Sequence, residues 1–185
     1  MNKYIRLNIK NVSGISGTEE MGVIVLLDEE EERQLSITCD RNMTYQFSLR
    51  INNIGNTQKL LPEVLVNKLL YSASYRFEII IDGVKDGQYV VFLEDIDSME
   101  RMPVRASDAM LLAYISDIPI YITEELMNQQ STKYSPNAKG LALPVNTLSN
   151  SMLRRALDKA VADENYELAS KLKEEVDSRK KGSTE

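Results

Sequence analysis

The residues able to carry chemistry in this chain are carboxylates and arginines. It has 185 residues, no His and a single Cys. Without imidazole, a Ser-His-Asp triad, a Cys-His pair and His-based acid–base catalysis are excluded. Zinc is not expected, because Cys39 has neither a second thiol nor an imidazole to join it. Metal chemistry would have to use Asp and Glu oxygens, which favours magnesium or manganese. Two stretches concentrate such oxygens. Asp28 to Glu32 is an unbroken acidic run. Neighbouring side chains in a turn diverge, so the run reads first as a solvated turn. Glu94, Asp95, Asp97 and Glu100 gather at a strand end, where carboxylates can hold a magnesium ion that orients water; a polar hairpin loop is the alternative. Cys39 falls in a predicted strand, away from any setting that would make a thiolate, and reads as a small buried residue. Gly14-Ile15-Ser16-Gly17 lacks the Lys-Ser/Thr ending of a phosphate loop.

The elements that must position these groups belong to an ordinary globular composition, 43% hydrophobic and 27% charged. The length suits one domain with an appendage. The net charge is −6, and from Ser151 onward acidic and basic residues balance at eight each, so the excess lies in the body. An acidic body is a poor match for nucleic acid unless a local basic groove or a bridging metal intervenes. A lone Cys excludes an internal disulfide and fits a reducing compartment. The first residues show no signal peptide, and apolar runs such as Met21–Leu27 are too short to span a membrane. A cytoplasmic protein without membrane contact is expected.

The first 125 or so residues read as a mixed α+β body. Ile5, Leu7 and Ile9 alternate with polar neighbours as in a half-buried strand. Val23–Leu27 and Leu35–Cys39 are strands joined by the polar run. Arg41–Ile51 is a helix capped by Asp40, and Pro62–Tyr71 a second, with Val64, Leu65 and Leu69 on its apolar face. Arg76–Ile81 and Tyr89–Leu93 flank a turn at Asp86-Gly87. Glu100–Arg105 is a strand, Ser107–Ile115 an apolar helix, Pro119–Ile122 a strand, and Thr123 caps a short helix.

At Gln129 the composition changes. Residues 129–140 are polar and carry both Gly and Pro, and 129–147 reads as a linker. Residues 148–181 read as a helical hairpin. Leu148, Met152, Leu153, Ala156, Leu157, Ala160 and Val161 form one stripe, and Tyr166, Ala169, Leu172 and Val176 another. So short a hairpin buries little area alone, so it should dock on another molecule or back on the body.

Two resemblances follow from particular residues. Gly22–Glu29, Arg33–Ile37, Asp86-Gly87-Gln88-Tyr89, Arg105–Ala113 and Ile118–Ile122 occur in the order and spacing of the bifunctional nuclease domain family, whose members are reported to cut DNA and RNA. The body, residues 1–128, resembles that family. Leu157, Ala160, Val161, Glu164, Tyr166–Ala169, Leu172 and Val176 resemble the UVR motif, a hairpin by which excision-repair nuclease subunits touch each other.

The first resemblance implies a compact α+β fold that pairs as a homodimer, and hydrolysis of DNA or RNA with magnesium or manganese. It makes Arg105, Ser107, Asp108 and Arg33 the catalytic candidates, with Asp108, Glu63 and Glu94 as metal ligands. The same residues have plainer uses: Ser107 as a helix cap, Asp108 against the helix dipole, Arg33 in a local ion pair. The second resemblance makes Tyr166, Glu167, Ala169, Leu172 and Lys173 a protein-docking surface. The chain departs from the family pattern where Met43 replaces a Glu and where Leu61-Pro62-Glu63 lacks a His. Ala106 also stands in place of the proline usual between Arg and Ser-Asp. Those losses raise the alternative of a non-catalytic, dimeric interaction protein whose hairpin docks a partner, for instance in DNA repair.

Overall fold

The computed structural model describes residues 3–15, 21–71, 75–136, 148 and 150–182. Among these, eight strands make one mixed sheet with the order β6-β5-β4-β7-β1-β2-β3-β8. Strands β1 (Tyr4–Gly14), β2 (Met21–Asp28) and β3 (Arg33–Asp40) form an antiparallel meander. Val23 to Leu27 is buried on both faces of the sheet, which is why β2 reads as an unbroken apolar run. Asp40 ends β3 and caps helix α1 (Arg41–Ile51), its Oδ1 accepting from the Met43 amide at 2.8 Å.

Helix α2 (Leu61–Val66) is followed by a single π-helical turn, Asn67–Tyr71. The face expected to be buried is not: Val64 is 48% and Leu65 47% exposed, while Val66 is buried. Within α2 it is the Val66 side that turns to the body, so Val64 and Leu65 face outward. Strands β4 (Phe77–Lys85) and β5 (Gln88–Asp95) form a hairpin. Its tip, Asp86-Gly87, has positive φ at both residues, as a type I′ turn requires. Strand β6 (Arg101–Arg105) continues directly into helix α3 (Ala106–Ser116). Strand β7 (Ile120–Thr123) lies between β4, to which it is parallel, and β1.

Helix α3 touches β3, β4, β5 and β6, although β5 and β3 stand near opposite ends of the strand order. The sheet therefore wraps around α3. Its core holds Ile24, Leu26, Ile37, Ile79, Ile81, Met110 and Ile122, each at most 1% exposed. Helix α4 (Glu124–Gln130), capped by Thr123, leads to β8 (Thr132–Lys133), which pairs with the start of β3. The body thus extends to Lys133. The expected linker from 129 begins too early, because Thr132 and Lys133 find backbone partners in Gln34 and Arg33. Its residues 137–147 lie outside the described residues.

Helices α5 (Asn150–Ala162) and α6 (Tyr166–Gly182) form the hairpin, with Leu148, Leu153, Ala160, Ala169 and Leu172 buried as a small separate core. Val161 and Tyr166 were expected in the stripes but are 54% and 69% exposed, since they flank the turn where the helices diverge. The hairpin rests on the body at the β4–β5 turn. A Cβ on Gly87 would lie 2.5 Å from the Leu148 carbonyl oxygen and 2.7 Å from Arg179 Nη1. Only glycine allows both the positive φ and this approach. No helix among the described residues is long and apolar enough to cross a membrane.

Candidate functional site

Strand β6 sets Arg105 opposite Val90 of β5, and the chain then turns into α3, with Arg105 as its N-cap residue. Asp108 follows three positions later, one helical turn on, where the two side chains meet. Arg105 Nε donates to Asp108 Oδ2 and Nη2 to Asp108 Oδ1, both at 2.8 Å. Nη1 donates to Asp40 Oδ2 at 3.1 Å. Asp40 uses its other oxygen to cap α1, so it ties the starts of α1 and α3 to one guanidinium. The cluster is open to solvent, with side-chain exposures of 59% for Arg105, 45% for Asp108 and 48% for Asp40. The hydrogen bonding of Arg105 to the Asp108 carboxylate is the main reason its pKa is pushed above its already high ordinary value.

The electrostatic balance is close. Arg105 faces two carboxylates, but Arg41, beside Asp40 in the chain, makes no ion pair among the described residues. Two helix N-termini add about half a positive charge each. These contributions nearly cancel where α1 and α3 begin.

Arg105 and Asp40 line an open cleft of about 630 Å³. Its walls are the end of β3, the start of β5 and the end of β6. Ser107 lies in this cleft and is 4% exposed. It is not the helix cap that the sequence suggests, because α3 starts at Ala106 and has no side-chain cap. Cys39 also lines the cleft. Its thiol contacts Thr44 Oγ1 at 3.6 Å, and burial raises its pKa, so it is the inert residue expected.

The remaining candidates lie elsewhere. Arg33 opens β3 whereas Asp40 closes it, which separates them by roughly 23 Å of strand. Arg33 Nε donates to Asp28 Oδ2 at 2.8 Å, and Nη1 to Asn128 Oδ1 at 3.1 Å. Asp28, 2% exposed, also accepts from the Glu32 and Arg33 amides. Burial acts to raise its pKa, but these hydrogen bonds outweigh that and hold it below the ordinary 3.8. The first residue of the acidic run is thus a buried clasp of the β2–β3 turn rather than part of a solvated run.

Glu63 belongs to Arg50, at 2.8 and 2.9 Å from its Nη2. Glu94 is buried and paired with Arg101. Glu78, opposite Glu94 in the sheet, has its pKa raised by burial and by that neighbour. Asp95 accepts from the Asp97 and Ser98 amides, and Asp97 pairs with Arg76, so this second acidic cluster shapes a turn. Asp108, Glu63 and Glu94 each answer to a different arginine, and they do not fit one shared cation. Among the described residues no three Cys, Asp or Glu side chains come together as a metal cluster.

In the hairpin, Ala169 and Leu172 are 8% and 1% exposed and are consumed by its own core. Tyr166, Glu167 and Lys173 are exposed. Sequence reasoning missed Asp40 and Tyr89 as cleft residues. Asp40 reads only as a helix cap, and the Asp86–Tyr89 segment of the resemblance is the signal for Tyr89.

The fold is an α+β domain with an arginine–carboxylate cluster beside an open cleft. The model of the bifunctional nuclease domain matches residues 24–135, more than half of the chain. The chain belongs to the bifunctional nuclease domain family. The match ends before the helical hairpin. The comparison with curated proteins gave no match.

Proposed function

We propose that this protein binds nucleic acid at the mouth of the cleft and hydrolyses phosphodiester bonds there. The observation that supports this is Arg105, an exposed guanidinium held by two carboxylates where α1 and α3 begin. The fork that meets Asp108 in two parallel bonds suits a phosphate equally well. A phosphodiester arriving at Arg105 takes over those bonds and frees Asp108. The freed carboxylate accepts a proton from water attacking phosphorus, and the proton passes to the departing alkoxide. The products are a phosphomonoester and an alcohol. Arg105 stabilises the charge that builds on the phosphoryl oxygens. No histidine is needed. Ala169 and Leu172 are packed inside the hairpin, so nothing favours a docking role built on them.

The test is incubation of purified protein with single- and double-stranded DNA and RNA, with magnesium, with manganese and with chelator. Cleavage is expected, and Arg105→Ala and Asp108→Asn should each lower it by about a hundredfold or more. Absence of cleavage above a mock purification, or full cleavage by Asp108→Asn, would overturn the reading. A requirement for magnesium or manganese would mean that the cation arrives with the phosphates, as magnesium commonly does.

A further inference from the structure

Behind the arginine cluster, the cleft contains polar groups that the cluster does not use. Tyr89 on β5 lines the cleft and is 8% exposed, and its hydroxyl is buried with no hydrogen-bond partner among the described residues. A buried hydroxyl left unpaired is destabilising. Burial raises its pKa, so it is a neutral O–H that both donates and accepts. Ser107 lines the same cleft, is 4% exposed, and its side chain makes no hydrogen bond among the described residues. The first turn of α3 has no side-chain cap, so its amides are open as donors too. Between these groups the walls are apolar, from Met21, Ile37, Val91, Pro103 and Val104.

The charged groups sit at the mouth and nearly cancel. The interior therefore recognises its ligand by flat apolar contact and by neutral hydrogen bonds. A volume of about 630 Å³ suits a small organic group. A planar ring with apolar faces and a polar edge meets all of these conditions together.

We propose that the cleft takes one nucleobase swung out of its stack, with its edge on the hydroxyls of Tyr89 and Ser107 and its phosphate outside at Arg105. The inference rests on the phosphodiester reading for its phosphate, and it adds a requirement: the nucleotide bound there has an unstacked base. Extracting a base from a duplex costs a few kcal/mol, so unpaired strands and frayed ends enter more readily.

The full chain would be titrated by calorimetry with adenosine 5′-monophosphate, cytidine 5′-monophosphate, ribose 5-phosphate and inorganic phosphate. At least one nucleotide should bind about tenfold or more tighter than ribose 5-phosphate, the gain expected from one base contact. Tyr89→Phe, which removes the hydroxyl alone, should weaken the nucleotide about three- to tenfold and leave ribose 5-phosphate unchanged. Ser107→Ala is the second probe and should act in the same direction. The thermal midpoint of Tyr89→Phe should hold or rise, because an unpaired buried hydroxyl is lost. Ribose 5-phosphate binding as tightly as both nucleotides, or nucleotide affinity untouched by both substitutions, would overturn the proposal. Base-dependent binding without DNA or RNA cleavage would uphold the base pocket and remove only the hydrolase reading. Cleavage with base-independent binding would remove only the base pocket.

Discussion

Two arginine–carboxylate clusters in this body share their chemistry and differ in burial. Arg50, near the end of α1, holds Glu63 of α2 with side-chain exposures of only 5% and 12%. Arg50 Nη1 also donates to the Gln46 backbone and side-chain oxygens, at 2.8 and 3.0 Å, while its Nε is buried with no partner among the described residues. This sealed pair joins two helices. Arg105, with Asp108 and Asp40, joins two helices as well, but it is more than half exposed. A sealed pair cannot exchange its partner without stranding a charge away from water. An open one can, because solvent screens every intermediate arrangement. Burial, more than residue type, decides which cluster is a fastener and which is able to receive a ligand.

The largest test of this contrast is Glu63→Gln. Leaving Arg50 buried against a neutral partner should cost about 3 kcal/mol in urea unfolding. A loss as small as that of an exposed pair would erase the distinction.

Asp28→Asn comes next. It weakens bonds from two amides and from Arg33 at a 2% exposed carboxylate, and should cost about 2 kcal/mol at neutral pH. Because the folded pKa of Asp28 lies below its ordinary 3.8, its contribution is fully present above that value. It is lost as pH falls through the folded pKa. Unfolding measured from pH 7 down to acid should therefore show the variant converging on the wild type in acid. Curves that stay parallel would contradict the assignment.

The smallest stability effect belongs to Arg105→Ala. An exposed cluster should contribute under about 1 kcal/mol after solvent screening, even though the same substitution should abolish cleavage. A large loss in urea unfolding would reclassify Arg105 as a fastener like Arg50.

How far the sequence could be read follows from how local each interaction is. The Arg105–Asp108 pair is three residues apart at a strand-to-helix junction, so it was readable from spacing. The Asp28–Arg33 clasp is equally local, and a local ion pair was the plain expectation for Arg33. Arg105 and Asp40 are 65 residues apart, and no spacing rule connects them. Glu63 was a metal-ligand candidate through the resemblance, and no arginine stands near it in the chain to claim it. Its partner, Arg50, reaches it only after α1 and α2 have packed.

By itself, the sequence determined which chemistries were open. The absence of His and the lone Cys39 are facts of composition, and they remove imidazole and paired-thiol chemistry. It also determined most of the strands and helices, since alternation and helical spacing are set within a few residues. The tertiary structure alone decided which carboxylates were spent on buried arginines, that Ser107 lines a cleft, and that the hydroxyl of Tyr89, another lining residue, is buried with no partner among the described residues. Partnership and burial depend on where distant segments meet. Here that is set by the wrapping of the sheet around α3, which brings β3 and β5 to the two sides of one cleft.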